Sequence, residues 1–211
     1  RRWLDNDFYV VTASANYKAN NLDMSFGGSF SDYDGDHFGE KIWARNASDS
    51  EKNDQYYNGN GKKSDFSLFS KATYKLNERV SLYGDLQVRF VGYKTSGLTS
   101  DRVNLVVDEN YNFFNPKAGI TYKLCDKNSL YFSYARASRE PSRSDFESNV
   151  NIKPEQLNDF ELGWRHTNEK IRFNANMYYM LYNEQLVLTG AIDTDDGTPI
   201  RANSGDSYRI G

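Results

Sequence analysis

Hydrophobic and polar residues alternate one by one along most of the chain. Residues 22 to 30 carry Leu, Met, Phe, Gly and Phe at even positions, and Asp, Ser, Gly and Ser at odd positions. A period of two is typical of a β-strand with one apolar and one polar face, and no segment shows a comparable period of 3.6. We therefore predict an all-β, antiparallel fold. The same alternation recurs at 8–17, 65–76, 80–90, 116–124, 159–165 and 171–179.

The links between these strands are alternately short and long. Long loops are uncommon inside compact domains unless they have a function. Strands of about ten residues or more, joined in this alternating way, are typical of a transmembrane β-barrel. We predict an antiparallel transmembrane β-barrel fragment of about eight or nine strands, with short turns alternating with long loops. The short links are 18–21, 77–79, 126–128 and 167–170, and the long ones are Ser31–Lys63, Lys94–Asn112, Glu140–Gln156 and Thr189–Gly205.

The composition agrees with a barrel. Aromatic residues make up 15 % of the chain, with 16 tyrosines, yet the mean hydropathy is only −0.80. A low hydropathy is expected when only one face of each strand has to be apolar. Aromatic rings then concentrate at the two membrane interfaces. We expect such girdles to include Tyr17, Tyr74, Tyr122, Tyr134, Trp164 and Tyr179.

A soluble β-sandwich or a lipocalin-like barrel would also have alternating strands. Sandwiches turn about every 8–12 residues and have short loops at both ends. Their apolar faces are rich in Val, Ile and Leu, whereas those of this chain mix in Ala, Gly and aromatic residues. The membrane barrel is therefore favoured. It predicts that the face of Leu22, Met24 and Phe26 does not pack against a second sheet.

Several other classes of protein are excluded. No run approaches the roughly 20 apolar residues that a membrane-spanning helix needs. Lys and Arg total 26 against 29 Asp and Glu, which leaves no basic field for nucleic acid. The lone Cys125 cannot form an internal disulfide.

The chain starts at Arg1 and ends as a further strand would begin, so residues 1–211 are expected to be one partial barrel domain of a longer polypeptide.

Three segments carry a resemblance to a known family. The first joins Asn115–Tyr122 to Ser129–Ala135 and then to Arg139-Glu140-Pro141. The second joins Lys153-Pro154-Glu155 to Asn158–Gly163, and the third is Phe173–Tyr179. In order and spacing they resemble the barrel domain of TonB-dependent outer-membrane receptors, with its NPK-G, Y-S-Y…R-P and PE…N-E-G strands. The motifs cover residues 110–185, and the rest matches by its strand rhythm.

The resemblance implies a receptor in the bacterial outer membrane that imports a scarce nutrient chelate with energy from the inner membrane. A ferric siderophore is the favoured ligand, and cobalamin, haem or a glycan are the others. The implied partners are the TonB complex, the chelate and outer-membrane lipid, with no cofactor and no enzymatic activity. The family also has a plug domain inside a barrel of roughly 22 strands, so the plug and the terminal strands are expected to be absent from residues 1–211.

Two sets of residues are candidates for function. Aromatic rings mixed with Arg and Asn suit planar or polyhydroxylated chelates, although such rings also pack loops together. The candidate ligand-binding residues, predicted in or beside long loops, are Trp43, Arg45, Tyr56, Tyr57, Tyr111 and Phe113. Charges on the polar faces are predicted to line the lumen, where they pair across strands or contact the plug. They are Asp85, Arg89, Lys117, Arg136, Arg139, Glu161, Arg165 and Arg172.

The signals for catalysis and for metal binding are weak. His37 and His166 lack zinc-site spacing and are predicted to be solvated residues of polar links. Residues 59–64 resemble a phosphate-binding loop only superficially and are predicted to form a flexible loop end. The Asp-rich stretches 32–36 and 193–197 are predicted in long loops, where calcium binding is an alternative to simple solvation. A passive outer-membrane channel and a soluble β-rich binding module remain the alternative functions.

Overall fold

The computed structural model describes residues 1–46, 49–100, 102–192, 197 and 199–211. One short helix, α1 (Arg143–Ser148), accompanies the strands. No helix in these ranges is long and apolar enough to cross a membrane. The strands are β1 (Arg2–Ala19), β2 (Leu22–Glu40), β3 (Gln55–Lys75), β4 (Val80–Leu98), β5 (Asn104–Cys125), β6 (Asn128–Arg139), β7 (Glu155–Thr167), β8 (Arg172–Asn183), β9 (Leu186–Ile192), β10 (Pro199–Asn203) and β11 (Ser207–Ile210).

Nine of the strands in the described ranges form one antiparallel sheet. Strands β1 to β8 follow each other in chain order, and β11 pairs with β8. The remaining two, β9 and β10, form a separate hairpin. The sheet is open, with β1 and β11 at its edges. The predicted all-β, antiparallel barrel fragment of eight or nine strands is therefore confirmed.

Along each strand the side chains point alternately to the two sides of the sheet. We call the side on which α1 packs the inner face and the opposite side the outward face. Asp85 of β4 lies opposite Lys117 of β5 on the inner face. On the outward face, Phe26 is 50 % exposed. No second sheet covers that face within the described ranges, so the soluble sandwich is not supported.

Two rows of aromatic rings cross the outward face. Phe30, Phe66 and Phe90 lie opposite one another on three successive strands, towards the long links. The other row lies near the short turns and consists of Tyr17, Tyr74, Tyr122 and Trp164. The six predicted girdle residues all lie on this face. Such rows mark the two interfaces of a membrane-spanning apolar band.

The register staggers successive strands in one direction. Leu22 is the first residue after the turn between β1 and β2. Its partner on β3, Tyr74, lies about four residues before the centre of the turn between β3 and β4. Val80 repeats the pattern with Tyr122. The average offset is about one residue per strand. With a rise of ~3.3 Å per residue and a strand spacing of ~4.8 Å, this offset tilts the strands by about 35°. Barrel closure requires a tilt of this size.

Two of the four predicted long links are much shorter than predicted, a third contains a hairpin, and the link predicted as Glu140–Gln156 keeps nearly its predicted bounds, at residues 140–154. The predicted loop Ser31–Lys63 is mostly strand, because β2 continues to Glu40 and β3 begins at Gln55. Likewise β4 and β5 fill most of 94–112, while the end of β9 and all of β10 lie within 189–205. The strands extend past the apolar band, where their outward faces are mostly polar. A backbone ladder needs no apolar side chains, so hydropathy alone marked its polar ends as loop.

A charge on the outward face at mid-membrane depth should destabilise the barrel. Met177 is 66 % exposed on that face of β8, midway between the two aromatic rows, and the neighbouring Asn176 is exposed on the inner face. We expect Met177→Arg to lower the free energy of unfolding from lipid vesicles by about 2 kcal/mol, since arginine can partly snorkel to the interface. Asn176→Arg is the matched control and should cost less than half as much, as measured by urea titration. Equal losses would contradict the assignment of the two faces.

Candidate ligand-binding site

A short segment folds over the inner face at the end of the sheet that bears the long links. We call residues 140–154, which include α1, the α1 segment. Asp145 at the third helical position accepts hydrogen bonds from the backbone N–H of Ser142 (2.8 Å) and from its hydroxyl (2.7 Å). This contact closes the helix N-terminus. A six-residue helix is too short to be stable alone, so contacts with the sheet must hold it in place.

Phe146 is the main apolar anchor of the α1 segment. It is only 1 % exposed and stacks on Tyr93 of β4, with ring centroids 5.5 Å apart and an interplanar angle of 11°. Around it lies the main buried apolar cluster of the described residues. The other members of that cluster are Val91, Leu105, Val107, Tyr111, Phe113, Ile152 and Leu186.

An ionic network fastens the start of the α1 segment to the sheet. Arg89 donates from Nη1 and Nη2 to the two carboxylate oxygens of Glu140, at 2.8 Å each. Its Nε and Nη2 also bond Asp65 on the neighbouring strand. Lys63 Nζ donates to Glu140 at 2.7 Å. Two cations and two carboxylates therefore neutralise each other, and we call these four residues the Arg89 network.

The charge of Glu140 makes this anchor sensitive to acid. Burial works against its ionised form, but hydrogen bonds from Lys63 and Arg89 outweigh burial and lower the pKa of Glu140. Stability from a lowered pKa is present above the ordinary glutamate value and is lost as the pH falls through the folded value. Docking of the α1 segment should therefore be constant from pH 7 to pH 5 and weaken below about pH 4.

Hydrogen exchange of residues 140–154, corrected for intrinsic rates, would measure this loss of docking. The Glu140→Gln variant should lack the acid step, because it has no carboxylate to protonate at that position. An equal acid step in the variant and the native protein would contradict the assignment to Glu140.

An open cavity of about 400 Å³ lies between α1 and the adjacent ends of the strands. We call it the α1 cavity. Arg143 and Glu147 enter it from α1, and the Nε of Arg143 donates to Glu147 at 2.9 Å. Burial, and secondarily the charge of Arg143, lower the pKa of His37 despite the opposing effect of Asp36. His37 is therefore neutral near pH 7. The other lining residues are Arg2, Trp3, Leu4, Tyr57 and Ser100.

The six predicted ligand-binding residues do not form one cluster. Trp43 and Arg45 lie in the link between β2 and β3, where Trp43 is 78 % exposed. Tyr56 and Tyr57 are in β3 with ring centroids 5.1 Å apart, and Tyr57 alone of the six lines the α1 cavity.

Tyr111 and Phe113 lie in β5 and not in a loop. They stack on each other at 5.7 Å and are each only 8 % exposed, within the cluster around Phe146. Their rings thus pack the wall of the barrel, which was the alternative to ligand binding for these aromatic residues.

Most of the charges predicted to line the lumen lie on the inner face. Asp85 pairs with Lys117 at 3.2 Å, and Arg89 joins the network described above. Arg165 lies over the ring of Tyr131, 4.1 Å from its centroid, and that hydroxyl contacts Glu161 at 3.5 Å. Arg139 and Arg172 share the inner face through their register with Glu155 and Thr167.

Arg136 was assigned to the wrong face. It lies on the same face as Tyr134, opposite Asn158, and therefore points outward. Because side chains alternate along a strand, positions 136 and 139 cannot share a face.

Several residues predicted in loops lie within strands. His37 is part of β2, and His166 is part of β7, where its Nδ1 is 2.9 Å from Asn128 Oδ1. Residues 59–64 belong to β3, and residues 32–36 belong to β2. His37 and these two stretches lie in strand ends that hydropathy marked as a long link, whereas His166 lies at the end of β7 beside a short turn. The second Asp-rich stretch, 193–197, falls outside the described residues except for Gly197.

The two α1 residues that line the α1 cavity were not among the predicted site residues. Neither Arg143 nor Glu147 stood out, because a six-residue helix is too short to show a periodic stripe. One signal was available, since Ser142 followed three residues later by Asp145 is a helix N-terminal pattern. Lys63, Asp65 and Glu140 were visible only as isolated charges.

Comparison with known proteins identifies the architecture. A family model described as "TonB dependent receptor-like, beta-barrel" matches residues 2–210. The copper transporter OprC is 14 % identical over 100 % of this chain and 35 % of that chain, with a TM-score of 0.78. The ferric-catecholate import receptor Fiu from E. coli K12 is 16 % identical over 98 % of this chain and 35 % of that chain, with a TM-score of 0.62.

The ferric yersiniabactin uptake receptor FyuA from Yersinia pestis is 16 % identical over 100 % of this chain and 32 % of that chain, with a TM-score of 0.63. This chain thus spans about a third of the length of these structures. At such identities, the structural matches reflect a common fold. The family match extends over almost every residue, from β1 to β11. This chain belongs to the TonB-dependent receptor β-barrel family of the bacterial outer membrane.

Proposed function

We propose that the chain forms part of the wall of an outer-membrane receptor that imports a scarce nutrient chelate, with a ferric siderophore as the favoured ligand. Energy would come from the TonB complex, acting through a plug domain outside residues 1–211. The observation that carries the proposal is the α1 cavity on the inner face near the long links, which aromatic residues such as Tyr57 and charged residues such as Arg143 line together. A mixture of this kind suits the binding of a small solute.

The similar structures support this ligand class without fixing it. Fiu and FyuA are named for ferric-catecholate and ferric yersiniabactin uptake, and OprC is named a copper transporter. No cluster of His, Cys, Asp and Glu suited to a bare metal ion occurs among the described residues. A chelate bound through its organic part agrees better with this chain than a naked ion does.

Growth of a deletion strain on single nutrient sources tests the proposal. Strains with and without the gene would grow with one iron chelate at a time, and with haem, cobalamin or copper, in backgrounds with and without TonB. We expect the gene to be required for at least one iron chelate, and only when TonB is present. Uptake that persists without TonB would favour a passive channel. Growth that never depends on the gene would remove the uptake function.

A further inference from the structure

The guanidinium of Arg143 occupies a space over the sheet where the residues beneath it have no side chains. It extends over Gly59 and Gly61, two buried inner-face glycines of β3. A Cβ atom at Gly59 would lie 3.3 Å from its Nη2, and one at Gly61 would lie 3.6 Å from its Nη1. Larger side chains at either position would therefore displace the guanidinium. The sheet thus holds a cationic group at the edge of the α1 cavity.

Arg143 has unused hydrogen-bonding capacity. Glu147 accepts from its Nε, while its Nη1 is buried and has no hydrogen-bond partner among the described residues. A buried donor without an acceptor costs free energy, and the cost is greater when the group is charged. An additional acceptor near this guanidinium would remove that cost.

The lining of the α1 cavity has a surplus of positive charge. Arg2 and Arg143 face a single carboxylate, that of Glu147, which already accepts from Arg143. His37 is close enough for the charge of Arg143 to affect it. The Nε2 of His37 lies 3.5 Å from the hydroxyl of Tyr33, and when Nε2 accepts from that hydroxyl the neutral imidazole donates from Nδ1. The cavity therefore offers a guanidinium fork beside a neutral donor, and among the described residues its lining holds no further acid to occupy them.

We propose that the α1 cavity binds a carboxylate group of the imported ligand, with Arg143 and His37 as its donors. Guanidinium and carboxylate form paired, charge-assisted hydrogen bonds, which makes arginine a good discriminator for this group. The inference rests on the proposed function and narrows its ligand class to chelates that carry a free carboxylate. A neutral or cationic chelate would gain nothing from this site.

Binding measurements on the full-length receptor in detergent test the inference. The probes are ferric citrate, which carries carboxylates, and ferrioxamine B, which is cationic. We expect ferric citrate to bind more tightly, and Arg143→Gln to weaken its binding by about tenfold or more. Arg143→Lys should have an intermediate affinity, because it keeps the charge and loses the fork. Lys62→Gln, on the outward face of β3, is the control and should change nothing.

Hydrogen exchange of residues 140–154 separates ligand contact from support of α1. Unchanged exchange together with weaker binding of ferric citrate supports the inference. An unchanged affinity in Arg143→Gln, or an equal loss for both probes, overturns it. A change in exchange without a change in affinity also overturns it, because Arg143 would then support α1 without binding the ligand. A receptor that takes up a chelate but shows any of these overturning results loses only the carboxylate site, whereas absent uptake removes the proposed function as well.

Discussion

Replacing Phe146 with alanine is expected to release the α1 segment from the inner face. Phe146 is 1 % exposed, stacked on Tyr93 and surrounded by the main apolar cluster. Truncation of a buried phenylalanine costs about 3–5 kcal/mol, since both the transfer free energy and the packing contacts are lost. Here the cost falls on local docking, because α1 contributes nothing to the ladder of the nine-stranded sheet. The amide hydrogens of residues 140–154 should therefore exchange far faster.

Hydrogen exchange with mass spectrometry of the full-length receptor would measure this effect. Phe132→Ala is the matched control, because Phe132 lies on the outward face of β6 and is 46 % exposed. It should leave the exchange of residues 140–154 unchanged. If Phe146→Ala left exchange unchanged too, the ring would not anchor the segment. If exchange rose across the whole sheet instead, the α1 segment would be part of the global fold.

The strand faces could be predicted from the sequence because a single physical rule governs them. Lipid excludes polar side chains, so every spanning stretch carries an apolar residue at each second position. That rule placed Phe26 and Met177 outward and Asp85 and Arg89 inward, as observed. The prediction was wrong at Arg136, because the alternation of side chains along β6 puts position 136 on the outward face with Tyr134.

Outside the apolar band the same rule gave no information. The polar end of β2 carries Asp32, Asp34 and Asp36 on its outward face, so no row of apolar residues distinguishes it from a loop. Pairing there depends on backbone hydrogen bonds with β1 and β3. Strand ends of this kind can be found only from the register, which a hydropathy pattern does not contain.

The candidate site could not be predicted for a related reason. Its residues come from separate strands and from α1, and they meet only because the sheet curves under a folded segment. Glu140 is 51 residues from Arg89 and 77 from Lys63 along the chain. Nothing in the local sequence at any one of these positions signals the other two. The family resemblance indicated the kind of wall but did not indicate which charges meet across it.

Replacing Arg89 with methionine should destabilise docking of the same segment by a different route. The Arg89 and Glu140 side chains are 24 % and 10 % exposed, and Arg89 also holds Asp65. Removing the arginine leaves two carboxylates near each other with only Lys63 beside Glu140. Breaking a largely buried ion pair from one side costs about 3–5 kcal/mol, most of which is the cost of the unpaired charge. We expect the exchange of residues 140–154 to rise accordingly.

A double-mutant cycle with Glu140→Gln measures the interaction free energy between Arg89 and Glu140 apart from their other contacts. Because Arg89→Met already removes the partner, adding Glu140→Gln should recover part of the loss by removing the unpaired carboxylate. Lys94→Met is the control for an ion pair that is exposed to water: Lys94 and Asp108 have side chains 63 % and 60 % exposed, so it should cost less than about 1 kcal/mol. If the losses from Arg89→Met and Lys94→Met were equal, burial would not strengthen the Arg89 network. Additive losses in the cycle would mean that Arg89 and Glu140 stabilise the α1 segment independently and not as a pair.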